Sequence, residues 1–297
     1  MKKPFRIASL CPSNTELIDA LGLIPNLVGV DNYSDYPQKQ LSRLPRLGPD
    51  LHINMEKLLS LQPDLTLASL SVPGMERVVE QLKNTGLKYI VLSPHRLDEI
   101  FDDMRTVAKH CQDFAPIDDI EQKIKGYEKQ VSTIRQATKS CAYKPKLYFE
   151  WWANPIFSPA RRNWLTEISE LAGAENLFAD IDDDKYKGDW TEVLRRNPDY
   201  FFAVWTGIPQ SKVPVQKIKQ RPGWLGRQAF AADRLFILSE GLYCRPSVRL
   251  IDGLLQLVSL IHPDIANSLG LERPEKYGRV RTWNGEWLGG EMTPANN

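Results

Sequence analysis

Little in this 297-residue sequence pulls toward a charged partner. Lysine and arginine number 38 against 37 aspartates and glutamates, a formal net charge of +1, so neither nucleic acid nor an anionic lipid surface is expected to bind it. Cysteine is scarce. Cys11, Cys111, Cys141 and Cys244 stand far apart without a CxxC pair, which argues against a zinc site or a disulfide framework and leaves thiols expected to be buried. Long apolar runs are also missing: the longest, 250–261, carries Asp252 and Gln256 and is too short to span a bilayer, so no membrane insertion is expected. At the N-terminus, Pro4-Phe5-Arg6 interrupts Met1-Lys2-Lys3, and the apolar stretch from Ile7 to Leu10 is far shorter than the core of a secretory signal. A bulky leucine before Cys11 argues against a lipoprotein box, and the stretch reads as a first strand. The expected location is therefore the cytoplasm, or outside it if an export signal is missing from the sequence as given.

Signatures of catalysis are absent too. There is no GxSxG elbow, no GxGxxG after the first strand and no P-loop, so nucleophilic, dinucleotide and phosphoryl chemistry each lack their usual mark. Cys11, at a strand end, would need a histidine to act as a nucleophile, and His52, His95, His110 and His262 form no motif that supplies one. The same spacing offers no metal site, and the acidic run Asp180-Ile181-Asp182-Asp183-Asp184 reads as a solvated loop. A binding protein without an enzymatic cofactor is expected; the competing class is a cytosolic enzyme acting on a bulky, cofactor-like substrate.

What is present is a phrase spoken twice. Leu61-Gln62-Pro63-Asp64-Leu65 returns as Arg196-Asn197-Pro198-Asp199-Tyr200, in each case a short helix closing at an amide residue, a proline that forbids its continuation, and an apolar run suited to a buried strand. A weaker echo pairs Glu16-Leu17-Ile18-Asp19 and Gly22 with Glu167-Ile168-Ser169-Glu170 and Gly173, each a helix ending at glycine. Two similar α/β lobes in one chain usually bracket a cleft.

The pass along the chain agrees. Strands are expected at 6–10, 27–30, 65–68 and 88–92, alternating with helices opened by a capping box at Ser13-Asn14-Thr15-Glu16 and continued at 55–61, 75–85 and 97–111. A long helix follows, 118–139, whose apolar positions Ile120, Ile124, Tyr127, Val131 and Ile134 share one face and whose start is favoured by Asp118 and Asp119. Alternation resumes with strands 146–150, 200–204 and 235–238 and helices 164–172, 190–196 and 247–261, with a loop and short helix at 213–219. The expected domains are an N-terminal lobe 1–117, a connecting helix 118–140, a C-terminal lobe 141–265 and a tail 266–297 of weak periodicity.

The order of these elements, with Ser9-Leu10-Cys11-Pro12-Ser13-Asn14-Thr15-Glu16, Gly29-Val30-Asp31-Asn32-Tyr33-Ser34-Asp35-Tyr36-Pro37 and Arg245-Pro246-Ser247-Val248-Arg249, resembles the class III substrate-binding proteins of ABC importers, most closely their cobalamin-binding branch. Glu150-Trp151-Trp152 with Pro155, and the segment Trp164 to Gly173, resemble that branch's second-lobe opening. The resemblance implies two Rossmann-like α/β lobes joined by a single long backbone helix and a ligand cleft between the lobes; a monomer is expected, serving an ABC permease as receptor or acting as a cytosolic carrier. Its ligand would be a corrinoid; siderophore and haem binders share the fold.

Independently of the family, such a ligand needs aromatic walls and a few polar groups. Loops at the expected strand ends carry Tyr33 and Tyr36, Ser69, Trp151, Trp152 and Phe157, Trp205, and Tyr243 beside Arg245, and these are the candidate ligand-binding residues. Tyr33 and Arg245 match ligand-lining positions of the resembled branch. Ser69 stands where those relatives have tryptophan, and Gly241 where an acid precedes the arginine motif. Glu76 matches the acid with which they dock on the permease, and Glu192 lies near the equivalent second-lobe place.

Overall fold

The computed structural model describes residues 4–112, 120–223 and 234–289. They form two compact α/β units: residues up to Gly126 together with Arg245–Val248, and Tyr127–Cys244 together with residues from Arg249 onward.

In the first unit, β1 (Ile7–Ser9), β2 (Leu27–Val30), β3 (Leu65–Ser69) and β4 (Tyr89–Leu92) make a parallel sheet in the order β2-β1-β3-β4. Ile7, Ala8, Leu65, Leu67 and Ala68 are wholly buried, as continuous apolar strands covered on both faces require. The helix Leu97–Cys111 packs through Leu97, Ile100, Phe101, Met104, Val107, Ala108 and Cys111, a single stripe at helical spacing.

The second unit contains β5 (Lys146–Glu150), β6 (Trp152–Ala153), β7 (Ile156–Pro159), β8 (Glu175–Asn176), β9 (Lys185–Gly188), β10 (Tyr200–Ala203), β11 (Leu235–Leu238) and β12 (Val280–Thr282). One sheet runs β12-β11-β10-β5-β8, parallel except for β12, and a small antiparallel sheet runs β6-β7-β9. The helix Ile120–Thr138 carries the chain from one unit into the next. Ile124 and Ile134 are buried and Ile120, Tyr127 and Val131 half-buried along its expected stripe; Asp118 and Asp119 lie outside the described residues.

The repeat holds at the level of single hydrogen bonds. Gln62 and Asn197 are the only non-glycine residues with positive φ among those described, at 45° and 50°. Asp64 accepts the Arg6 amide at 2.8 Å and Asp199 accepts the Lys146 amide at 2.8 Å, while their own amides return to Arg6 and Lys146 carbonyls, again at 2.8 Å. The weaker echo is equally faithful. Gly22 and Gly173 both sit at φ 73°, where a side chain would be strained, and the next residues close the same wide turn, Leu23 to Ile18 and Ala174 to Ser169, each at 2.9 Å.

Four expectations are corrected. The capping box does not form: the helix Pro12–Ala20 starts after Cys11 with Pro12 in its first turn and no side-chain cap, and Glu16 reaches Arg245 and Ser247 instead. The helix expected at 247–261 starts at Leu250, and Arg245–Val248 before it group with the first unit. The weakly periodic tail holds a helix, Pro274–Tyr277, and the antiparallel edge strand β12, its residues 290–297 lying outside those described. Of the cysteines, Cys11 and Cys111 are buried, whereas Cys141 and Cys244 are partly exposed.

Candidate functional site

At the carboxyl ends of the first sheet, backbone and hydroxyls are tied into a polar bed. Asp31, just past β2, accepts the amides of Tyr33 at 2.7 Å and Ser34 at 3.1 Å and the Ser34 hydroxyl. Burial raises its carboxyl to about 6, with the hydrogen bonds opposing. Thr15 joins Ser34 to Ser9, and Ser69 bonds Ser71 at 2.8 Å. Held this way, the loop turns Tyr33 and Tyr36 outward, 54% and 41% exposed, while Ser69 is buried among hydroxyls. Arg46 clamps the loop from below through the carbonyls of Asp31, Ser34 and Leu41. Nothing in the sequence around Arg46 signals that role.

Arg245 does not present a free guanidinium. It is buried, with Nη1 at 3.0 Å from Glu16 and both terminal nitrogens on Asp35 at 2.5 and 3.3 Å, and Ser247 donates to the same Glu16 carboxylate. The guanidinium is thus held by two carboxylates of the same unit. Cys11 bonds Ser13 at 3.2 Å and its thiol is pushed up by burial, which keeps it protonated at neutral pH.

The second unit differs in kind. Glu150, at the end of β5 and 0% exposed, accepts Tyr148 Oη at 2.7 Å, Trp205 Nε1 at 3.0 Å and both terminal nitrogens of Arg221 at 2.5 and 2.8 Å. Burial, reinforced by Glu150, lifts the Tyr148 hydroxyl well above its ordinary range. Trp205 is thereby fixed 6.2 Å from the Trp152 ring. Trp152 stands directly opposite Phe157 across β6 and β7, and Phe157 opposite Lys187 across β7 and β9, which puts all three on one face of the small sheet. The other face, Ile156, Ser158 and Tyr186, turns to the core, where Tyr186 stacks on Phe178 at 3.9 Å. Gly188 permits that stacking, since a Cβ there would lie 1.9 Å from the Tyr186 hydroxyl. Trp151 is half-buried, and its backbone links Phe157 and Thr206.

One further expectation changes, and the two acids considered for docking differ in their partners. Tyr243 is 0% exposed, its hydroxyl bonding Gly253 and Gln256, so it is core rather than ligand surface. Glu192 is gripped by Arg195 and Arg196 at 2.6 to 2.7 Å, which hold its carboxyl down at about 2. Glu76 is exposed at the start of the helix Glu76–Lys83 and accepts the Gly74 amide. A cavity of about 630 Å³ at the amino ends of the second sheet, lined by Cys141, Tyr143, Tyr200, Arg234 and His262 among others, contains none of the candidate residues. Among the described residues, no group of three or more metal-ligating side chains converges and no helix is long and apolar enough to cross a membrane.

Comparison with known proteins gives this arrangement a context. The model of the periplasmic binding protein family matches residues 7–241. An uncharacterized ABC transporter substrate-binding lipoprotein of Bacillus subtilis is 26% identical over 273 residues, covering 89% of this chain and 82% of that protein. A vitamin B12-binding protein of Yersinia pestis is 29% identical over 250 residues, covering 80% and 84%. The crystal structure of the periplasmic vitamin B12-binding protein of Vibrio cholerae superposes with a TM-score of 0.72 at 26% identity, covering 88% of this chain and 97% of that one.

These relatives overturn the expected cytoplasmic location. Periplasmic and lipoprotein receptors work outside the cytoplasmic membrane, where an importer collects its solute, and the place of action does not follow from the residues with which a sequence happens to begin. Matched over most of its length, the chain belongs to the periplasmic binding protein family and is the substrate-binding component of an ABC transporter.

Proposed function

We propose that the solute is a corrinoid or a closely similar tetrapyrrole-derived macrocycle, bound without chemical change and passed to a permease. The carrying observation is the aromatic surface of the second unit: Trp152 paired with Trp205 at 6.2 Å, and Phe157 directly opposite Trp152, on the open face of the small sheet. A planar macrocycle presents a broad apolar face that such rings cover well. The vitamin B12-binding relatives support this choice of ligand class. Of the two acids considered for permease docking, Glu192 is paired with Arg195 and Arg196, whereas Glu76 forms no ion pair among the described residues.

Titration with cyanocobalamin or dicyanocobinamide should quench tryptophan fluorescence and raise the melting temperature. Trp152→Ala and Trp205→Ala should each weaken both responses about tenfold or more, the usual loss for an aromatic anchor in a binding surface. Unchanged fluorescence and melting at high ligand concentration would refute the proposal.

A further inference from the structure

The face that carries Trp152 and Phe157 also carries two cations. Lys187 lies directly opposite Phe157, and Lys185, two residues away along β9, emerges on the same side. Their ammonium groups stand 5.8 and 5.9 Å from the centroid of the Phe157 ring, flanking it. Both lysines are exposed, and among the described residues neither forms an ion pair. The acids closest in sequence are committed elsewhere: Arg162 sits 3.4, 3.8 and 3.3 Å from Asp182, Asp183 and Asp184, and Asp189 caps the helix Trp190–Arg196. The surface is thus aromatic at one end and positive at the other, with Phe157 where the two meet.

We infer that this site recognises a macrocycle that bears an oxyanion, Trp152 and Phe157 covering the ring face while Lys185 and Lys187 receive the oxyanion at its rim. The inference rests on the macrocycle reading above and adds the charge of the ligand to it. The oxyanion has two chemical sources: a phosphodiester, carried by the nucleotide arm of a complete corrinoid, and ring carboxylates, carried by a porphyrin. A compact, hydrated ammonium suits either, since it acts as a point charge without the geometric demand of a guanidinium fork. Being exposed, the two charges are screened by salt, so the recognition must weaken as ionic strength rises.

The experiment compares wild type with Lys185→Ala/Lys187→Ala, using four probes: cyanocobalamin, dicyanocobinamide, which lacks the phosphodiester, haemin, and haemin dimethyl ester, whose carboxylates are blocked. The double variant should bind at least one oxyanion-bearing probe roughly tenfold more weakly at low salt, with less than about twofold change for its counterpart without the oxyanion. That gap should close at about 0.5 M salt, and far-ultraviolet dichroism should show the fold unchanged. Loss confined to cyanocobalamin identifies the phosphodiester, and loss confined to haemin the carboxylates. Equal weakening of charged and uncharged probes, or no weakening, overturns the role of charge while leaving the macrocycle reading standing. Failure of wild type to bind any of the four takes down both.

Discussion

Glu16 and Arg245 meet at 3.0 Å although 229 residues separate them in sequence, and both side chains are almost completely buried within the first unit. Two charges removed from water are tolerated only while each satisfies the other. Glu16→Ala should therefore cost about 3–5 kcal/mol in urea unfolding, because it leaves the guanidinium desolvated, whereas replacing both residues by methionine should cost much less. Asp35, the other partner of Arg245, has a side chain 68% exposed, and Asp35→Asn should cost less than about 1 kcal/mol. A loss for Glu16→Ala as small as that for Asp35→Asn would show that the pair is solvated.

This contact also marks where the sequence stopped being readable. Helix and strand positions followed from local periodicity: 97–111, 146–150, 190–196 and 235–238 agree with the structure to the residue. The Pro-Asp phrases predicted two matching lobes because each encodes a local cap and a strand start. Glu16, by contrast, has the spacing of a capping box, and nothing nearby reveals that Arg245 and Ser247 will claim its carboxylate. The small β6-β7-β9 sheet was missed for a related reason, since two- and four-residue strands leave almost no alternation to detect. Tyr243 was misplaced as ligand surface because an aromatic beside an arginine motif looks the same in sequence whether it faces solvent or Gln256.

The two copies of the Pro-Asp phrase can be compared directly. Removing the aspartate in Asp64→Ala or Asp199→Ala leaves a strand-start amide without its acceptor, at a cost of about 1–3 kcal/mol. Asp199 should cost more: it is buried, and it also accepts the Tyr143 hydroxyl at 2.7 Å. In a Tyr143→Phe background the difference between the two variants should narrow. Thermal unfolding of the four proteins tests this, and a larger loss for Asp64→Ala would contradict it.

Asp103, in the helix Leu97–Cys111, has a buried carboxylate oxygen with no hydrogen-bond partner among the described residues, and burial raises its carboxyl to about 7, with Glu99 and Asp102 adding repulsion. A carboxyl raised by folding prefers its proton in the native state. Its destabilising effect is therefore absent below about pH 4, where folded and unfolded chains both hold the proton, and is fully present above about pH 7. Asp103→Asn should stabilise the protein at pH 8 by about 1–2 kcal/mol, a figure reduced for partial solvent exposure, and by nothing measurable at pH 4. Melting temperatures across that range check the sign, and a benefit that grows toward acid would reverse it.

Glu150 offers a way to separate holding the fold from holding the ligand. Its carboxylate accepts from Tyr148, Trp205 and Arg221 at once, so Glu150→Gln, which keeps one carbonyl oxygen and no charge, should strand the Arg221 guanidinium and cost about 3–5 kcal/mol. Glu150→Met/Arg221→Met removes both charges together and should restore part of that stability. It also deprives the Trp205 indole of its acceptor. The ring that Glu150 fixes beside Trp152 would then be free to turn, so the double variant should melt above Glu150→Gln, short of wild type by the buried Tyr148 hydroxyl that also loses its acceptor, and bind macrocycle roughly tenfold more weakly, with Trp205 more open to acrylamide quenching. Wild-type affinity in a stable double variant would mean that Glu150 and Arg221 serve the fold alone, because a preorganised aromatic surface cannot lose its anchor without losing affinity.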